Sequence, residues 1–92
     1  MHNVMWIDGM KNYGLQCSGT PEFVQEFQNV VVGIETEWEV KDIFYQGSTN
    51  NWKFIEFWTK DMEFILCFCG EVEERMGMEI KFHPPSREDL GL

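Results

Sequence analysis

Two neighbouring stretches, WKFIEFWT at residues 52–59 and MEFILCFC at residues 62–69, are apolar at odd and even positions alike. If both stretches are strands, each presents apolar side chains on both faces of a sheet, and both faces then need cover. Residues 60–61 between them are short enough for a tight hairpin. The chain must therefore place a layer on each side of this pair, or leave one face for a second copy or a partner.

One helix is predicted from SGTPEFVQEFQNVVVG, residues 18–33. Thr20 can cap it, Pro21 suits the first helical position, and Glu22 lies where the helix dipole favours an acid. Apolar residues recur at helical spacing and form one stripe: Phe23, Phe27, Val30, Val31 and Ile34. Gly33 suits a C-terminal cap, and the three valines before it weaken the last turn because they are β-branched.

The next segment, GIETEWEVKD, changes to a period of two, which is typical of a half-buried strand. Glu35, Glu37 and Glu39 alternate with residues that include Trp38. The alternation predicts a strand over residues 34–40, with Trp38 in the core and the three glutamates in a row on the solvent side. The phase slips after this segment, which indicates a bulge near residues 41–42.

The remaining segments complete the predicted sheet. The sequence predicts short strands at VMWI and YGLQC, on either side of DGMKN, and a loop at QGSTNN. It also predicts an acidic connection at GEVEERMG and an alternating strand at MEIKFH. The predicted fold class is α+β, an antiparallel β-meander of four or more strands with one helix packed on a face. Residues 1–85 are predicted to form a single domain, and residues 86–92 a short C-terminal tail.

The charge balance, 16 acidic against 7 basic residues, gives a formal net charge of −9. Such a surface repels phosphates, which argues against direct binding to nucleic acid or to an anionic membrane and favours a basic protein partner. The chain shows no basic segment followed by an apolar run, and its longest apolar run is the six residues FILCFC. We therefore expect a cytoplasmic protein, in the host cytoplasm if a phage encodes it.

The cysteines offer no strong chemical motif. Cys67 and Cys69 form C-x-C, a spacing that suits neither a disulfide nor a zinc site, and a third ligand from Cys17, His2 or His83 would require a coincidence of folding. The only nucleophilic pairing is Cys17 or Cys69 with His83, in acidic surroundings that raise a thiol pKa. No phosphate loop and no G-x-S-x-G elbow is present. The sequence predicts reduced thiols, no metal, no cofactor, no catalytic residue and no enzymatic activity.

The candidate binding residues are the acids of one segment and a tryptophan beside a polar loop. Five glutamates and no lysine or arginine lie between residues 22 and 39, and an exposed Trp52 could serve as an apolar anchor. The predicted partner-binding residues are Glu22, Glu26, Glu35, Glu37, Glu39 and Trp52. On a strand, alternate glutamates lie about 6.6 Å apart, about twice the 3.4 Å rise per phosphate of one DNA strand, so the row could imitate phosphates. The simpler interpretation is a solvated surface that keeps the protein soluble.

In size, acidity and lack of catalytic residues, the chain resembles the small inhibitors that phages use against nucleic-acid-binding host defences, such as anti-CRISPR proteins. It equally resembles the bacterial immunity proteins that plug toxic nucleases. The resemblance implies a non-enzymatic inhibitor that binds and blocks a basic nucleic-acid-binding protein or nuclease. Two alternatives stay open: a structural or assembly subunit that self-associates, for example as a homodimer, through the apolar faces of residues 52–59 and 62–69, and a small thiol enzyme.

Overall fold

The computed structural model describes residues 2–8, 13–41, 43–57, 59 and 61–80. The elements follow in the order β1 (Asn3–Asp8), β2 (Tyr13–Ser18), α1 (Pro21–Trp38), β3 (Ile43–Thr49), β4 (Trp52–Phe57) and α2 (Met62–Met76). The mixed α+β class with an antiparallel sheet is confirmed. The two predicted N-terminal strands are present as β1 and β2, and the first of the two apolar stretches forms β4.

The sheet has the strand order β1-β2-β4-β3, and every neighbouring pair is antiparallel. The predicted meander is wrong, because α1 carries the chain away after β2 and β4 returns to pair with β2, placing Leu15 opposite Ile55. The predicted six-residue loop QGSTNN is also wrong. Strand β3 continues to Thr49, with a register shift between Tyr45 and Gly47, and only residues 50–51 form the turn.

Helix α1 begins as the sequence predicts and ends later. The Thr20 hydroxyl accepts a hydrogen bond from the Phe23 backbone N–H at 3.2 Å, and Pro21 occupies the first turn. The helix continues through Gly33 to Trp38, so the strand predicted over residues 34–40 and the C-terminal cap at Gly33 are both wrong. Trp38 is 39% exposed, against the expectation that it lies in the core.

The physical reason is the burial of Ile34. Buried residues of α1 are spaced three or four apart and reach this residue: Val24, Phe27, Val31 and Ile34. Only a continuous helix keeps Ile34 in that stripe, so packing outweighs the local alternation of glutamates. The helix ends at Glu39, which adopts the left-handed conformation with φ 54° and donates its N–H to the Glu35 carbonyl.

Helix α2 occupies the second apolar stretch, which was predicted to be a strand. Asp61 caps it by accepting hydrogen bonds from the backbone N–H groups of Glu63 and Phe64, so the predicted hairpin at residues 60–61 is wrong. Four buried residues follow at helical spacing: Ile65, Phe68, Cys69 and Val72. The predicted acidic connection belongs to the same helix, which ends before Gly77 at φ 64°. A run that is apolar at nearly every position shows neither a helical nor a strand period. The spacing of apolar residues after the run therefore indicates its secondary structure.

Both helices pack on the same face of the sheet and enclose one core. Strand residues of that face are buried against them: Val4, Trp6, Leu15, Cys17, Ile55 and Phe57. The Phe57 and Phe68 ring centroids lie 5.3 Å apart, which ties β4 to α2. Residues 78–80 follow α2 without forming a strand. The rest of the predicted strand MEIKFH, the bulge residue Asp42, Trp58, the turn at residues 9–12 and the C-terminal tail lie outside the described residues.

Candidate protein-binding surface

Glu22 and Glu26 lie where the sequence places them, on the solvent side of a helix. Both side chains are exposed and one helical turn apart, about 6 Å along the axis. They line a shallow, open depression together with Pro21, Gln25 and Asn29. The Gln25 amide donates a 2.9 Å hydrogen bond to the Asn29 side chain along the same surface. This part of α1 offers two unburied carboxylates within reach of one partner side chain.

The predicted row of Glu35, Glu37 and Glu39 does not exist. Successive helical residues turn by about 100°, so alternate residues point about 200° apart. Glu35 is half-buried on the side of the helix that faces the sheet, and Glu37 is exposed on another side. Glu39 ends the helix. The three carboxylates therefore cannot form one line of charge. Their comparison with phosphates, which relied on the spacing of alternate residues in a strand, does not apply.

Glu37 also has a basic neighbour that no sequence pattern predicts. Arg75 of α2 forms an ion pair with Glu37 and a second one with Glu71, one helical turn earlier, at 2.9 Å. The hydrogen bonds that the Arg75 guanidinium donates to Glu37 and, second, to Glu71 raise the pKa of Arg75 further. No base lies between residues 22 and 39 in the sequence, but the fold brings Arg75 of α2 to Glu37. The contact joins residues 38 positions apart, and no local pattern reports it.

Lys53 explains why Glu35 turns inward. The lysine lies on the helix-facing side of β4 with 5% of its surface exposed, and its ammonium donates a 2.8 Å hydrogen bond to the Gln28 side chain. Burial lowers the pKa of Lys53, while the negative charge of Glu35 opposes that shift. A buried cation requires such partners. No sequence pattern marks Lys53 as a buried residue, because its burial depends on α1 lying across β4.

Trp52 lies on the other side of the sheet from the helices. Side chains alternate along a strand, and the neighbouring Lys53 faces α1, so Trp52 projects from the opposite face. It is half-buried and its ring centroid lies 6.4 Å from that of Phe54. Trp52 is therefore not part of the surface that carries Glu22 and Glu26. The six predicted binding residues are distributed over at least three separate places.

Half of the acidic residues of the chain lie on the two helices. Helix α1 and helix α2 contain four glutamates each, while Arg75 is the only basic residue in either helix. The exposed members are Glu22, Glu26 and Glu37 of α1 and Glu63 and Glu74 of α2. We refer to these five side chains as the acidic helix face. It is the part of the described chain with the largest excess of one charge.

The thiols are separated and differ in exposure. Cys17 and Cys69 are buried and Cys67 is exposed, because C-x-C on a helix turns the two side chains about 200° apart. Burial raises the pKa of Cys17 to about 12, and burial with a smaller contribution from Glu73 raises the pKa of Cys69 to about 12. A nucleophilic or metal-binding thiol needs the opposite shift. Within the part of the chain that the structure describes, no three acidic, histidine or cysteine side chains converge on a possible metal position.

The chain matches no known family model, and neither curated proteins nor solved structures show a significant similarity to it. Neither α1 nor α2, the helices in the described ranges, has the length and hydrophobicity needed to cross a bilayer.

Proposed function

We propose that the protein is a non-enzymatic inhibitor that binds and blocks a basic protein, a nuclease or another nucleic-acid-binding factor, through the acidic helix face. The observation that carries this proposal is the placement of charge. Eight glutamates lie on two adjacent helices, with Arg75 as the one basic residue among them. A surface of this kind attracts a cationic groove and accelerates encounter with it.

The exposed carboxylates are placed for contact with a partner rather than for chemistry. Glu22 and Glu26 extend from the first two turns of α1, where no basic side chain of that helix competes for them. Like charges one turn apart disfavour a helix slightly, although the helix dipole favours Glu22 in the first turn. A basic partner would relieve that repulsion. The double carboxylate is therefore the part of the acidic helix face that we expect to contribute most to binding.

Imitation of phosphates remains part of the proposal in a different geometry. The strand row is absent, but glutamates one helical turn apart repeat at about 6 Å, close to the spacing expected for alternate strand residues. Only Glu22 and Glu26 have this relation among the exposed acids of α1. The proposal therefore depends on the summed charge of the acidic helix face more than on a regular row.

The test begins with capture of partners from a cell lysate at low ionic strength, followed by binding measurements with each purified partner over a salt series. The double variant Glu22→Gln/Glu26→Gln removes two charges from the acidic helix face. The control Glu39→Gln/Glu79→Gln removes the same formal charge from two exposed residues outside α1 and α2. We expect the first variant to slow association and flatten the salt dependence, and the control to leave both nearly unchanged.

Two results would overturn the proposal. The first is a set of captured partners with no excess of basic proteins. The second is an equal affinity and an equal salt slope for the wild type and for Glu22→Gln/Glu26→Gln. A captured factor should also lose its nucleic-acid binding or its nuclease activity when the protein is added, because the proposal is one of inhibition.

A further inference from the structure

The sheet has a second face, on the side away from both helices. On β4, Lys53, Ile55 and Phe57 face the helices, so the alternate residues of that strand point outward. The pairing registers extend the outward set across β2 and β1, with Gln16 opposite both Met5 and Phe54. Its described members are Asn3, Met5, Gly14, Gln16, Ser18, Thr49, Trp52, Phe54 and Glu56. We call these nine residues the outer sheet face.

Aromatic rings lie along the outer sheet face. A Cβ atom on Gly14 would lie 2.4 Å from the Ile55 carbonyl oxygen and 2.5 Å from the Phe54 ring, so the ring of Phe54 rests directly against the Gly14 backbone. The rings of Trp52 and Phe54 are tilted by only 25° to each other. Met5 is 36% exposed on the neighbouring strand. Because Gly14 has no side chain, the Phe54 ring can lie against the backbone of β2, and the surface at this point is apolar.

The outer sheet face also differs from the helices in charge. Glu56 is the only ionisable residue among its nine described members, whereas α1 and α2 contain eight glutamates. Two copies of a chain with a net charge of −9 repel each other strongly if their helices meet. The repulsion is weakest where the outer sheet faces meet. Charge therefore selects one side of the molecule for contact with a second copy.

We infer that two copies of this chain pack with their outer sheet faces against each other and form a homodimer with two-fold symmetry. Two sheets in face-to-face contact lie about 10 Å apart and bury the aromatic side chains between them. The same patch serves both copies, as two-fold symmetry requires. The acidic helix faces then point outward on both sides of the dimer. This inference does not depend on the proposed inhibitory function, since it uses the opposite surface.

The expected interface is small. Strands of six residues are about 20 Å long and four strands span about 19 Å, so the face covers about 400 Å² per copy, about half of the roughly 800 Å² per partner of a typical stable interface. We therefore expect an equilibrium between monomer and dimer that responds to protein concentration. High salt should strengthen it, because salt screens the repulsion between two acidic copies while the apolar contact remains.

The test compares two identical substitutions on opposite sides of the molecule. Gln16→Glu adds a charge at the centre of the outer sheet face, and Gln25→Glu adds the same charge on the exposed side of α1. Sedimentation equilibrium in about 0.5 M salt should show the wild type moving from 10.9 kDa towards twice that mass as its concentration rises. In a symmetric dimer Gln16→Glu adds two charges to one interface and should weaken dimerisation at least about tenfold. Gln25→Glu should leave it unchanged.

A second pair covers the case in which Gln16→Glu fails to fold. Met5→Glu places the charge on an exposed side chain of the same face, and Leu66→Glu places it on α2, where the native side chain is 48% exposed. Three results would overturn the inference: a wild-type protein that stays monomeric at every concentration, dimers insensitive to both outer-face variants, or equal weakening by the variants and their controls. A monomer throughout would mean that the chain itself or a different partner covers this face.

Discussion

The acidic helix face and the outer sheet face cover the same core from opposite sides, and they are built differently. A helix satisfies its backbone hydrogen bonds internally, so its solvent side can carry long charged side chains without loss of structure. The outer sheet face depends on contacts between side chains of neighbouring strands. On this face Phe54 of β4 packs against the Gly14 backbone of β2, and the contact is apolar, not charged. The charge of this protein is therefore concentrated in the layer whose backbone tolerates it best.

Two glycines show the same difference. Gly14 lies in β2 beneath an aromatic ring, where an added methyl group has no room. Gly70 lies in the middle of α2, where an added Cβ atom would meet nothing within 4 Å. One glycine is required by close packing and the other only lowers the stability of its helix.

The largest effect is expected in the core that both surfaces share. Phe68 is fully buried between α2 and the sheet, and Phe68→Ala should destabilise the protein by about 3–5 kcal/mol. Trp38 reaches the same cluster from α1 through edge contacts with Phe64 and Phe68, yet it is 39% exposed. Trp38→Ala should therefore cost only about 1–2 kcal/mol. Urea denaturation measures both, and equal losses would mean that Trp38 belongs to the core.

The next prediction compares the substitution of glycine by alanine at two sites, with opposite expected effects on stability. Gly14→Ala should destabilise by about 1–3 kcal/mol, because the new methyl group meets the Ile55 carbonyl and the Phe54 ring. Gly70→Ala should stabilise by about 1 kcal/mol, because alanine is the better helix former and the site is open. Thermal and urea unfolding of both variants test the comparison directly. A neutral Gly14→Ala would show that Phe54 does not lie against β2.

A smaller gain is expected where α1 ends. Glu39 adopts a left-handed conformation that is costly for a residue with a side chain, and glycine avoids that cost. Glu39→Gly should stabilise by up to about 1 kcal/mol, after the greater freedom of glycine in the unfolded chain is subtracted. Glu39→Ala is the control and should give less, since alanine has the same conformational cost. A loss of stability with Glu39→Gly would mean that α1 ends elsewhere.

The mildest test labels the cysteines of the wild-type protein. Cys67 lies on the exposed side of α2, while the buried Cys17 and Cys69 have pKa values raised to about 12 and form little thiolate near neutral pH. An alkylating reagent at about pH 8 should modify one cysteine quickly and the other two only after unfolding. Mass spectrometry of the modified peptides identifies each site, and Cys67→Ser should abolish the fast reaction. Rapid labelling of Cys69 would place that side of α2 in solvent.

The sequence predicted the parts whose signals are local. Thr20, Pro21 and Glu22 identified the start of α1, and short apolar segments bounded by turn-like residues identified β1, β2 and β4. The exposure of Glu22 and Glu26 followed from the same helical period. These features depend on neighbouring residues only, so the chain specifies them wherever the rest of it lies.

The tertiary structure decided the remainder, because the decisive contacts join distant residues. Residues 34–38 alternate like a strand, but Ile34 gains more by joining the buried stripe of α1 than the alternation gains in a sheet. Residues 62–69 have no period of their own, and packing against Phe57 made them a helix. The positions of the candidate binding residues differ from the prediction for the same reason. Glu37 pairs with Arg75, Glu35 lies near Lys53, and Trp52 lies on the side of the sheet away from the helices. Burial of apolar surface between layers outweighs local propensity, and a single sequence does not show which layers meet.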